Sequence, residues 1–93
     1  MTTYFQIIEK ENIQSLKFPT TDVLTDKEAI QQRKNDLNRA QALGSLDHSK
    51  IKIFFEDNQC KKVVETTVWA VTDNSVILKK GVGIPINRIF KSI

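Results

Sequence analysis

Between Gly44 and Lys50 the hydrophobic pattern of this chain changes period, which restricts the fold to one that carries both a helix and a sheet. On the N-terminal side, Thr25-Asp26-Lys27-Glu28 has the form of a capping box, with Thr25 as N-cap and Glu28 reaching back to it. Helix formers dominate from Asp26 to Leu43. Gly44 then stands where a left-handed C-cap is expected, so the helical region spans 25–44. At about 100° per residue, Ala29, Ile30, Leu37 and Ala40 share one stripe, with Leu43 at its margin. Arg33 falls inside that stripe, a position that predicts a stem laid over the core edge and a guanidinium directed to solvent or to an acid.

From Lys50 the period is two. Ile51, Ile53 and Phe55 alternate with Lys50, Lys52 and Phe54, giving one apolar and one mixed face, and Asp57-Asn58-Gln59 supplies turn chemistry. The next run, KKVVETTVWAVT, is rich in β-branched residues and too long for an average strand. It is expected to bend and serve two parts of a curved sheet. Of its two parities, the one without Glu65, which holds Val64, Thr66, Val68 and Ala70, is expected to face the core, with Trp69 half-buried against the helix. Asp73-Asn74 reads as a hairpin connection to SVILKK, and Lys79-Lys80-Gly81 as the following turn. In the last run Val82, Ile84 and Ile86 alternate and Ile89 breaks parity, which predicts a bulge or helical turn near Asn87-Arg88. Pro85 lacks an amide hydrogen, so its strand should be an edge. Residues 1–24 are expected to form an extended segment with one or two strands, a helix over 4–16 being the competing reading.

A chain of 93 residues is one domain close to the lower size limit for a self-sufficient core. Its single cysteine excludes an internal disulfide, and the absence of a Cys/His cluster excludes a structural zinc site. Neither a long apolar run nor a signal-peptide pattern is visible, so a cytoplasmic protein without membrane partners is expected. The net charge of +3 is unevenly spread. Residues 1–49 hold six Lys/Arg and seven Asp/Glu, and residues 50–93 hold eight against four, so the halves carry −1 and +4.

Catalytic chemistry is sparse. His48 is the only histidine and lies in the polar link between helix and strand. Cys60 stands beside Lys61 and Lys62, cations able to activate a thiol, which supports a rival reading as a small enzyme or redox sensor. Glu56 and Asp57 are adjacent carboxylates but supply too few ligands for a cation by themselves. KKGVG lacks both P-loop spacing and the following helix. No cofactor is implied. The stronger candidate is a basic surface made of Lys50, Lys52, Lys79, Lys80, Arg88 and Lys91, with Trp69 and Phe54 available for base stacking. Lysines at outward strand positions also protect against edge-to-edge aggregation, the more common reason for them.

The order of a helix followed by short antiparallel strands, ending in SVILKKGVGIPINRIFKSI, resembles the Sm-like small-barrel family over roughly residues 25–93. That resemblance implies a strongly bent five-stranded barrel, ring assembly through terminal strand edges and RNA binding near the loops. Only four strands are readable after the helix, and no site residue of the family maps onto this chain. The stretches LGSLDHSKIKIFFED, VETTVWAV and IPINRI are also similar to small bacterial domains to which no activity is attached. The expected fold is therefore α+β: one amphipathic helix packed on a small, curved antiparallel sheet or partly open β-barrel. The expected function is a non-enzymatic binding module for RNA or protein. Self-association through the edge strand near Pro85 is a further expectation.

Overall fold

The computed structural model describes residues 4–93 and has the expected α+β architecture. Strand β1 (Gln6–Ile7) and a 3-10 turn (Lys10–Ser15) precede helix α1 (Lys27–Asp47). Strands β2 (Ile51–Glu56), β3 (Lys61–Thr66), β4 (Val68–Val71), β5 (Ser75–Leu78), β6 (Gly83–Pro85) and β7 (Ile89–Ser92) follow. They form a four-stranded sheet in the order β1-β3-β2-β7 and a three-stranded sheet in the order β4-β5-β6. The two do not join into a closed barrel among the described residues. Within the sheets only the β1–β3 pair is parallel.

The long β-branched run bends at a single residue. Up to Thr66 it pairs with β2, and from Val68 it pairs with β5. Thr67 at the corner is buried, and its polar groups are satisfied on both sides: its hydroxyl donates to the His48 carbonyl (3.3 Å) and its own carbonyl accepts from Lys79 N–H (3.0 Å). The last apolar run, readable as one strand, is in fact two. A 3-10 turn over Ile86–Arg88 separates β6 from β7 and sends them to different sheets. The parity break at Ile89 is the trace of that turn in the sequence.

Both sheets turn their inner faces to a common core. Ile51, Ile53 and Phe55 of β2, Val64, Val68, Val76, Leu78, Ile84 and Ile89 are buried there with Ile13 from the N-terminal turn and Leu37 and Ala40 from the helix. Val64, Thr66 and Val68 face inward as the charge argument requires. A register shift between Val68 and Ala70 then reverses the parity, so Ala70 lies opposite Ile77, while Val71 lies opposite the buried Val76. Trp69, expected half-buried, is 53% exposed.

The helix differs from expectation at both ends. Its N-cap is Asp26, not Thr25: the Asp26 carboxylate accepts from Ala29 N–H (3.0 Å). Gly44 does not end it. The helix runs on to Asp47, and His48 takes the left-handed C-cap (φ 56°), donating its N–H to the Gly44 carbonyl at 3.2 Å. The buried face is Arg33, Leu37, Ala40 and Gly44, a stripe that ends in small residues and lets the helix approach β4 closely. Arg33 is buried as a structural clamp. Its guanidinium holds the Asp22 carboxylate through two nitrogens (2.8 and 2.9 Å) and also donates to the Ile89 carbonyl (3.0 Å), tying the helix to the preceding loop and to β7.

Candidate nucleic-acid interface

The residues that alternate outward on the four-stranded sheet create its one mixed aromatic and basic face. Pairing places Lys52 opposite Glu65, Phe54 opposite Val63 and Glu56 opposite Lys61, while on the other side Phe54 lies opposite Lys91. The parallel pairing of β1 with β3 brings Phe5 onto the same surface. Phe5 meets Phe54 edge-on at 5.0 Å between ring centroids and Phe90 at 5.9 Å. Two lysines stand over these rings: Lys91 Nζ lies 5.1 Å from the Phe54 centroid and Lys61 Nζ 5.5 Å from that of Phe90. Each such contact contributes about 0.5–1 kcal/mol on an exposed surface, enough to bias where the ammonium sits. Next to this cluster is an open hollow of about 420 Å³ lined by Phe5, Ile7, Lys52, Phe54, Val63 and Glu65. Among the described residues none of Lys52, Lys61 and Lys91 belongs to an ion pair, so their charge is available to a ligand.

Of the residues the sequence singled out, Lys52, Lys91 and Phe54 are thus brought together. Lys50 is exposed just before β2. Lys79 and Lys80 lie on the turn that follows β5, Lys80 with a positive φ of 71°, and Trp69 is on the outside of the second sheet, so these three are not on the lysine-phenylalanine face. Arg88 leaves the basic surface altogether. It is buried, with Nε on the Glu56 carbonyl (3.1 Å), Nη1 on the Thr21 carbonyl (2.7 Å) and Nη2 on the Glu56 carboxylate (3.2 Å). Arg88 therefore holds the loop before the helix against the end of β2. Lys61, Phe5 and Phe90 are the members that sequence reasoning missed. Lys61 was visible only as a neighbour of Cys60, and Phe5 reaches the site through a non-local pairing that no local pattern announces.

The remaining polar candidates have structural partners. Glu56 is paired with Arg88, and the buried Asp57 with Lys62 (3.0 Å), so the two adjacent carboxylates do not converge on a cation. No group of three or more metal-ligating side chains occurs among the described residues. Burial pushes the Asp57 carboxyl up. The Cys60 and Gln59 N–H groups and the Lys62 ammonium outweigh burial and hold it below its ordinary value. Lys62 is the mirror case: burial pulls its pKa down, and hydrogen bonds to Cys60 and Asp57 carry it above the ordinary lysine value. Its Nζ lies 2.9 Å from the Cys60 Sγ. His48 is exposed and contributes its backbone, not its ring, to the corner at Thr67. Pro85 sits on β6, an edge of the three-stranded sheet, beside the N-terminal 3-10 turn.

Comparison with models of protein families, with curated proteins and with solved structures found no match. No described helix is long and apolar enough to cross a membrane.

Proposed function

We propose that the chain is a non-enzymatic binding module that holds single-stranded RNA across the outer face of the four-stranded sheet. The observation that carries this reading is the placement of three lysines, Lys52, Lys61 and Lys91, none of them in an ion pair among the described residues, around the Phe5–Phe54–Phe90 cluster. Cations beside half-buried aromatic rings match the alternation of phosphate and base along a single strand. The competing occupant of the face, an acidic protein segment, shares its charge but not its bases.

Fluorescence anisotropy with a labelled oligouridylate tests the reading. Three phosphate contacts predict a slope of log K against log salt of about −2. Reversing all three charges (Lys52→Glu, Lys61→Glu, Lys91→Glu) is expected to weaken binding by more than about tenfold. The pair Lys79→Glu and Lys80→Glu should change it by less than about twofold, since they stand away from the face. Absence of binding, or affinity insensitive to salt, would refute RNA as the ligand.

A second reading, redox sensing through Cys60, has one specific observation in its favour: the buried Lys62 ammonium in contact with Sγ. It predicts that iodoacetamide alkylates Cys60 faster at neutral pH than it alkylates free cysteine, and a slower reaction removes it.

A further inference from the structure

Away from the lysine face, a hollow of about 340 Å³ lies between α1 and the β4–β5 hairpin. A second, of about 460 Å³, adjoins it beside the 3-10 turn before β7. Arg33, Asp73 and Ile86 line both, so the two form one trough. Its floor is apolar: Ile30 and Leu37 from the helix, Val71 from β4 and Ile86 from the 3-10 turn. Arg33 serves as wall, because its terminal nitrogens are already engaged by Asp22 and the Ile89 carbonyl.

Two groups at the mouth have no such engagement. Lys34 stands on the helix side and Asp73 on the hairpin side; both are exposed, and neither belongs to an ion pair among the described residues. The hairpin turn that carries Asp73 is pinned at both ends. Thr72 N–H donates to the Ser75 carbonyl (2.8 Å), and the Thr72 hydroxyl accepts from the N–H groups of Asn74 (3.3 Å) and Ser75 (2.9 Å). The carboxylate is thus presented from an ordered turn.

An apolar floor with a free cation on one wall and a free carboxylate on the other calls for a ligand bearing both charges and a short hydrocarbon group. A fatty acid would leave Asp73 unmatched, and a polyanion would meet Asp22 and Asp73 together. The first hollow is at the low end of the range of about 300–1,000 Å³ typical of small-molecule sites, which limits the ligand to a few heavy atoms beyond its charged head. We propose that this trough binds a zwitterionic α-amino acid with a branched aliphatic side chain, its carboxylate on Lys34, its ammonium on Asp73 and its side chain on Ile30, Leu37, Val71 and Ile86.

The site is independent of the RNA reading and is tested separately, by ¹H–¹⁵N NMR titration of the full chain with L-leucine. Saturable shifts are expected at Lys34, Val71, Thr72 and Asp73, with Lys52, Lys61 and Lys91 unmoved. Asp73→Asn and Lys34→Gln, both at exposed positions and compatible with the fold, should each weaken leucine binding by about tenfold. 4-Methylpentanoate lacks the ammonium, isoamylamine lacks the carboxylate and glycine lacks the side chain, so each should bind more weakly than leucine. The proposal is overturned by the absence of saturable shifts at millimolar leucine, by comparators that bind as tightly as leucine, or by indifference to both substitutions.

Discussion

Gly44→Ala is expected to destabilise the protein by about 2–3 kcal/mol, lowering the melting temperature by roughly 8–24 °C. A Cβ built on Gly44 falls inside van der Waals contact of the Val68 carbonyl oxygen and close to the Thr67 side chain (3.2 Å). The obstacle is backbone in a paired strand, so it cannot rotate aside. The helix has to lift, and lifting it draws Leu37 and Ala40 out of the core they help to fill. Alanine's better helix propensity returns only about 1 kcal/mol of this. Gly81→Ala is the control. It has open space around its Cβ but a φ of +84°, so only backbone strain of about 1 kcal/mol is expected there. A Gly44→Ala protein at least as stable as the parent would show that helix and strand do not approach this closely.

The same glycine marks where sequence reasoning reached its limit. Gly after a helical run is usually a C-cap, and local pattern has no means of telling that role from a packing role: both require a missing Cβ. Only the tertiary crossing of α1 over β4 decides between them. Where the determinant was local, the reading carried: the capped helix start shifted by one residue, the bend in the β-branched run appeared at Thr67, and the 3-10 turn appeared at Ile86–Arg88. Arg33 also behaved as its place in the apolar stripe implied, although its partners, Asp22 and Ile89, are 11 and 56 residues away. The candidate interface was less legible because charge says nothing of direction. Arg88 and Lys91, three positions apart, contribute to the same C-terminal surplus, yet one is buried against Glu56 and the other stands over Phe54.

Asp57→Ala should have the larger effect, about 3–5 kcal/mol, because it strands a buried ammonium. The Asp57 carboxylate accepts from the N–H groups of Gln59 (3.0 Å) and Cys60 (2.9 Å) while pairing with Lys62, so one side chain holds both the turn and the charge at the start of β3. For a small domain with about 5–15 kcal/mol in total, this loss populates the unfolded state. Asp57→Asn combined with Lys62→Met keeps the acceptor for the turn and removes both charges, so it should cost less than Asp57→Ala alone. The acid limb of the stability profile separates the charge from the turn. The folded-state pKa of Asp57 is lowered from 3.8, so its contribution is fully present above that value and is lost as pH falls through the lower folded value. Asp22, held down by its hydrogen bond to Arg33 against burial, behaves the same way. Lys62, raised from 10.5, contributes below that value and loses its contribution only as pH rises through the higher folded one. Urea midpoints should therefore show the gap between the parent and the double variant narrowing as pH drops below about 4, where Asp57 becomes protonated, while the part of the acid dependence that belongs to Asp22 remains in both. A gap near zero through that window would mean that the turn, which both proteins keep, and not the ion pair, carries the stability at this site.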